Sequence, residues 1–441
     1  MIGYLRSKFA QGSFSRNVLD LMSGSVVAQI ITAAAAPVLT RIYFPDEFGV
    51  LALYTSIVSI GAVVLCWRYD FAIVLPEDDM EAANLLALSI ILTFFMSGIS
   101  AIIVLFFRES LANILDMPSI TPWLLFLPAS FLFMGIYQTL NSWHLRKKHF
   151  KIISASKIGQ ASVTVSIQSV VGFIRESGIS GLIGGFISGW FVAVIVLNWK
   201  GFTNDLKFII KSIDKRIMVK TARRFKKYPK YSTWATFINT LSLSLPVLFI
   251  SRYFDADILG QYALSLRVLL IPLNLIGVSI GQVYFQRLAK EKQVSKDISR
   301  TVEKTFIKLL YFAIPGCLIL LLFSQNLFEI IFGNEWSTAG VFTQILAPAM
   351  AIRFITSPLT TTFGVSNRQE IAAIWQISQL ISTTSFLFGS LIFNDPIATI
   401  YALQINDVLL YTIYLKVVFK ISNASFLNAF QNIFKKNTAH I

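Results

Sequence analysis

Two arginines stand where arginine is costly. Arg267, in the run LSLRVLLIP, and Arg353, in PAMAIRFITSP, interrupt long apolar stretches. A planar guanidinium held there can grip a diphosphate or carboxylate through paired hydrogen bonds. Asp20 and Asp407 occupy similar surroundings. Each could hold a coupling proton or sodium ion, or neutralise an arginine, and the residues alone leave both roles open. Arg68 and Asp70 end another apolar run, where they could gate a path, contact a headgroup or anchor a helix. Lys157, Gln160, Thr164 and Gln168 recur at helical spacing, as do Gln376, Gln379 and Thr383. Such a face can bind sugar hydroxyls or tie one helix to another.

Other chemistries lack their residues. Cys66 and Cys317 lie inside apolar runs, and His144, His149 and His440 have no partners at ligand spacing, so neither a disulfide framework nor a metal site is expected. No GxxxxGK[ST] loop is present to cradle a nucleotide. Glu77, Asp78 and Asp79 could hold a divalent ion, as a glycosyltransferase would need, but without a further acid or histidine nearby they read as a solvated acidic turn. No cofactor is expected, and the protein is not expected to be an enzyme.

The elements that must position these residues are membrane helices. Of 441 residues, 55% are hydrophobic and 14% charged, with a mean hydropathy of +0.66; soluble domains carry about 25% charge. A crossing needs about 20 mostly apolar residues. Twelve stretches qualify: 17–40, 48–67, 83–107, 122–143, 152–174 and 179–199, then 233–251, 260–284, 305–323, 339–363, 370–393 and 397–419. Seven of the eight tryptophans fall near span ends, as an interfacial belt requires. The polar, basic start has no cleavable signal pattern, so the first span is expected to be retained.

The net charge of +15 would suit nucleic acid if it were clustered for that purpose. Instead it sorts by topology. With the N-terminus inside, Lys and Arg crowd the inner segments, and the outer loops hold only Arg41, Arg108, Arg175 and Arg252. Both termini are therefore expected in the cytoplasm, and no nucleic-acid partner is expected. Lys308 and Lys416, near inner span ends, should snorkel to the headgroups. In the longest inner loop, Leu206, Ile209, Ile210, Ile213 and Ile217 alternate with Lys207, Lys211, Lys215, Arg216 and Lys220. This pattern predicts a helix lying on anionic lipid. The expected organisation is a six-helix bundle over 1–199, a basic linker over 200–232, a second bundle over 233–420 and a tail over 421–441.

An internal repeat supports that division. Thr40-Arg41, Asp46, Gly49 and Ala52-Leu53 match Ser251-Arg252, Asp257, Gly260 and Ala263-Leu264 at a constant offset of 211 residues. Each set joins the first two spans of its half. An even number of spans separates them, so the halves share one orientation and should be related by an axis along the membrane normal. The Arg-to-Asp element predicts a structural corner tying the outer ends of two helices, with Gly allowing the next helix to start. Gly181, Gly185 and Gly189 form a small-residue stripe expected to pack against a neighbour.

The run from Pro37 to Gly49 (PVLTRIYFPDEFG), followed by Arg68 to Pro76 (RYDFAIVLP), resembles the polysaccharide repeat-unit flippases of the Wzx type. Those proteins share a superfamily with MATE drug exporters and lipid II flippases. The resemblance implies an all-α MATE-like fold of twelve helices in two bundles, with a V-shaped cavity that opens alternately to each side. It implies export of an undecaprenyl-diphosphate-linked oligosaccharide across the bacterial inner membrane, for O-antigen or a related polymer. Membrane lipids, and polysaccharide polymerase and ligase machinery, are the implied partners. In this frame Arg267 and Arg353 would take the diphosphate, and the Gln and Thr stripes would take the sugars. A MATE-like, cation-coupled multidrug exporter is the alternative; its cavity should favour cations, which two arginines do not.

Overall fold

The structure, a computed structural model, describes residues 14–174, 178–199, 202–294, 297–366 and 368–437. Among these every regular element is helical. The helices of ten or more residues are α1 (Phe14–Ile42), α2 (Pro45–Ala62), α3 (Asp79–Ile114), α4 (Leu127–Arg146), α5 (Phe150–Ile174), α6 (Ile179–Asn198), α7 (Phe202–Ser212) and α8 (Lys215–Arg224). There follow α9 (Thr233–Tyr253), α10 (Ala256–Pro272), α11 (Val278–Val294), α12 (Ser299–Phe332), α13 (Ser337–Leu359), α14 (Gln369–Ser390), α15 (Pro396–Ile421) and α16 (Phe426–Asn437).

The helix ends follow local chemistry. Asp78 accepts from the Met80 amide at the start of α3, and Asp395 accepts from Ile397 and Ala398 before Pro396 opens α15. Pro45 opens α2, where the Glu47 carboxylate reaches back to the Phe44 amide at 2.9 Å. Gly333, at φ 108°, stops α12 in a conformation that an L side chain resists.

Each of the twelve expected stretches is helical, but among the described residues eight helices are long and apolar enough to cross a membrane, or nine if the bent pair Pro118–Leu124 and Leu127–Arg146 counts as one crossing. The helices that fall short have physical reasons. α2 is 18 residues long and starts with two acids, while α5 and α14 carry the Gln and Thr stripes. Polarity inside a crossing segment must be covered by protein rather than lipid. The longest helices show the opposite face: Phe95, Leu105 and Phe106 on α3 and Phe312 and Leu322 on α12 are all more than half exposed, as lipid-facing positions should be.

The chain divides into two compact units, Met1–Gly260 and Gln261–Ile441. The expected division fell at the linker; by contact the first unit runs on through α9, which packs on α2. Within the first unit α3 packs on α4, α4 on α6 and α5 on both α1 and α6. Within the second, α12 packs on α13, α13 on α15 and α14 on α15. Three pairings of the first unit thus recur in the second in the same chain order. Each unit has its own core at one end: Leu85, Leu86, Trp143 and Leu197 in the first, and Leu288, Val302, Leu309, Leu359 and Val418 in the second.

The linker differs from the single helix that its periodicity predicts. Asp214 caps a new helix by accepting from the Arg216 and Ile217 amides, which breaks the run into α7 and α8. Asn84 of α3 clasps the break, donating to the Ser212 carbonyl at 2.8 Å and accepting from the Asp214 amide at 3.0 Å. Ile209 is buried, whereas Leu206, Ile210 and Ile213 are exposed beside their lysines.

Candidate functional site

The charged centre of the second unit is built on α13 and α15. Gln404, Asp407 and Tyr411 are spaced three and four apart, so they share one face of α15. That face meets α13, where the Ala349 amide donates to Gln404 Oε1 at 3.1 Å. One turn further along α13, the Arg353 guanidinium lies 5.6 Å from the Tyr411 ring centroid, a cation–π arrangement. Asp407 lies within electrostatic range of Arg353 and accepts from Asn406 Nδ2 at 3.2 Å. The buried tyrosines Tyr262 and Tyr411 both stand close enough to feel the pair.

α14 supplies the polar wall behind Asp407. Asn406 Nδ2 donates to Thr383 Oγ1 at 3.2 Å, and Ser382 Oγ donates to Asn406 Oδ1 at 2.5 Å. Gln379 shares a hydrogen bond with Tyr411. Gln376, one turn earlier, is half-buried. The structure therefore brings Arg353, Asp407, Gln379 and Thr383 into one network. Arg267 lies within α10 and is half-buried.

Sequence reasoning missed Tyr262, Gln404, Asn406 and Tyr411. The spacing of 404, 407 and 411 was a usable signal, since it continues the face that Asp407 defines.

In the first unit the matching polar helix is used differently. Gln168 Nε2 donates to the Leu182 carbonyl at 2.9 Å, and Tyr43 donates to the Gln168 carbonyl at 2.7 Å. A Cβ on Gly189 would come within 2.0 Å of Thr164 Oγ1 and 3.0 Å of the Gln160 carbonyl oxygen. One on Gly185 would meet Gln168 and the Thr164 carbonyl oxygen. The Gly181, Gly185 and Gly189 stripe thus lets α6 press onto the polar face of α5. Lys157, at the other end of that face, donates to Ser25 Oγ of α1 at 2.8 Å. Asp20 belongs to α1, but its side chain lies outside the described residues, as do Arg175 and His440.

Arg68 and Asp70 sit in a tight bend after α2. Trp67 and Arg68 both have positive φ, and the Arg68 guanidinium lies 3.7 Å over the Phe71 ring. Asp70 is buried within reach of Arg68. Arg68 Nε is buried with no hydrogen-bond partner among the described residues, an unusual state for a charged donor.

The two repeat corners meet. A Cβ at Gly49 would lie 2.0 Å from the Ala256 carbonyl oxygen, and one at Gly260 would lie 1.7 Å from that of Pro45. Positions 45 and 49 correspond to 256 and 260 under the 211-residue offset, so the contact is reciprocal: each repeat's glycine receives the other's backbone. Arg252 pairs with Asp116, at the end of α3, at 3.2 Å, so the arginine joins α9 to a different helix. Arg41 and Asp46 are exposed, and Asp257 is half-buried. The carboxylate that caps the first corner is the buried Glu47.

A family model described as "Polysaccharide biosynthesis protein" matches residues 38–340. A membrane protein encoded in the cps region of Klebsiella pneumoniae is 22% identical over 89% of this chain and 80% of its own length. The lipopolysaccharide biosynthesis protein WzxC of Escherichia coli is 21% identical over 76% of this chain and 66% of its own. Among solved structures, the lipid II flippase MurJ in an inward closed conformation aligns with a TM-score of 0.69 at 14% identity, covering 96% of this chain and 93% of that one. The family match spans most of the chain, the all-helical fold with several membrane-crossing helices agrees with it, and the chain belongs to the polysaccharide biosynthesis protein family.

Proposed function

We propose that the protein moves undecaprenyl-diphosphate-linked oligosaccharide repeat units from the cytoplasmic to the periplasmic leaflet of the bacterial inner membrane by alternating access, with both termini in the cytoplasm. The observation that carries this reading is a charged, hydrogen-bonded centre within apolar helices, formed by Arg353, Asp407, Tyr411 and Gln379. Ionisable groups at such depth are expensive and are kept where a polar cargo must pass. The lipid tail of the cargo stays in lipid; its diphosphate and sugars need this path. The relatives' names, which refer to lipopolysaccharide synthesis and lipid II flipping, support that class of cargo.

In this reading Arg267 and Arg353 hold the diphosphate. Arg68, with its unused buried donor, meets the headgroup on entry, and Asp70 holds Arg68 in place. Gln376, Gln379 and Gln160 contact sugar hydroxyls, while Thr164, packed against Gly189, and Gln168, bonded to Leu182, support the helix that carries them. Asp407 neutralises Arg353 and is the group through which a proton or sodium gradient would couple; Asp20 is its counterpart in α1. An ion gradient is not energetically required. One negative charge moving outward across an inside-negative membrane releases about 2.3 kcal/mol per 100 mV.

The test is a strain lacking the protein. Its membranes should accumulate a diphosphate-linked oligosaccharide on the inner leaflet and its surface should lose polymer. Arg267→Ala should express normally and fail to restore export. Absence of the lipid intermediate, together with new sensitivity to cationic drugs, would assign the protein to drug export instead.

A further inference from the structure

At one end of the second unit residues of three segments converge: Lys292 with Asp297 and Ser299, Ser366 with Arg368, and Lys420 with Asn423. They enclose a cavity of about 700 Å³ whose lining includes Lys292, Asp297, Ser299, Arg368, Lys420 and Asn423. All three segments are inner loops in the charge-sorted topology, so the cavity opens to the cytoplasm in that reading. Three cations face one carboxylate. Asp297 is committed to the start of α12, and hydrogen bonds from the amide and side chain of Ser299 hold its carboxyl below the usual range.

The first unit shows what a closed version of this end looks like. There the helix-capping Asp78 is followed by Asp79, which receives Arg146 Nε at 3.0 Å and Lys147 Nζ at 2.6 Å. Arg146 also donates to the carbonyls of Ile73, Pro76 and Glu77, and its side chain is only 10% exposed. In the second unit the capping Asp297 is followed by Ile298, which is buried in the apolar core. The acceptor that would take the corner arginine is missing. The Arg368 side chain remains 62% exposed, and among the described residues its guanidinium meets only the near neighbour Glu370, at 3.5 Å. Lys292 donates to the Val365 carbonyl and Lys420 is exposed; neither forms an ion pair among the described residues.

We propose that the Lys292–Arg368–Lys420 cavity binds a phosphate-bearing anion, presented either by an anionic lipid headgroup or by a free diphosphate. The guanidinium fork suits paired phosphate oxygens, and two lysines add charge without fixed direction. The site is separate from the intramembrane centre and does not depend on what the protein exports.

The full chain, purified in neutral detergent and stripped of lipid, is titrated with inorganic pyrophosphate by calorimetry. In parallel, phosphatidylglycerol and phosphatidylcholine are compared by native mass spectrometry. Arg368→Gln and Lys420→Gln should each weaken binding about tenfold, and the double variant about a hundredfold; Lys151→Gln, at an exposed position of the first unit, should not. Sensitivity of pyrophosphate alone identifies a free anion, and sensitivity of phosphatidylglycerol alone identifies a lipid headgroup. The double variant keeps Arg267 and Arg353, so binding that it leaves unchanged would lie elsewhere and overturn the proposal. Failure of both anionic probes to bind the unmodified chain would also overturn it.

Discussion

Helices α5 and α14 carry similar polar stripes at equivalent places in the two repeats, yet the stripes serve different ends. On α5, Gln168 and Thr164 lie against the glycines of α6, and their polar atoms and backbone hold two helices close. On α14, Gln379 and Thr383 face α15 and surround a charge pair, through Tyr411 and Asn406. The difference lies in the neighbour. α6 offers a Gly stripe that admits backbone approach, while α15 offers Asp407 and Tyr411. A repeated polar pattern therefore predicts that a helix is covered by protein, and the facing helix decides whether the cover is packing or chemistry.

Substitutions can break this contrast or sharpen it. Arg353→Ala should have the largest effect, because it strands Asp407 among apolar helices at a cost of about 3–5 kcal/mol. The double variant Arg353→Ala/Asp407→Asn should recover most of the thermal stability in detergent but none of the export. Recovery of export in the double variant would make the pair merely structural. Next, Gly189→Val should overpack the α5–α6 seam by about 1–3 kcal/mol, lowering the melting temperature while export per folded molecule stays normal. Gln168→Leu should cost about 1 kcal/mol by removing the hydrogen bond to the Leu182 carbonyl, again without changing export per molecule. Gln379→Leu should shift stability by about 1 kcal/mol or less but reduce export severalfold. A Gln168 variant that folded normally and lost export would erase the contrast.

Much of this architecture was legible in the residues. Hydropathy placed a helix at every expected span, and the offset between Arg41 and Arg252 located the two corners whose glycines now interlock. Arg353, Asp407 and Gln379 were singled out because charge and amide in apolar runs are conspicuous. What periodicity could not reveal was partnership. Nothing in the chain around Arg252 points to Asp116, more than a hundred residues away, and nothing near Gln168 points to Leu182. The break between α7 and α8 was also hidden, because apolar spacing continued smoothly through a residue, Asp214, whose side chain prefers to start a helix.

The reciprocal seating of Gly49 and Gly260 also limits how this chain can be recombined. Each glycine is kept small by a carbonyl from the other copy of the motif, so neither corner can be exchanged without regard to its mate. A chimaera joined in the 200–232 linker would bring an unfamiliar Ala256 carbonyl onto Gly49 and an unfamiliar Pro45 carbonyl onto Gly260. A junction placed beyond position 260 would inherit both corners from a single parent. Swapping cargo specificity between relatives should therefore succeed more often with the later junction, even though the linker is the more exposed place to cut.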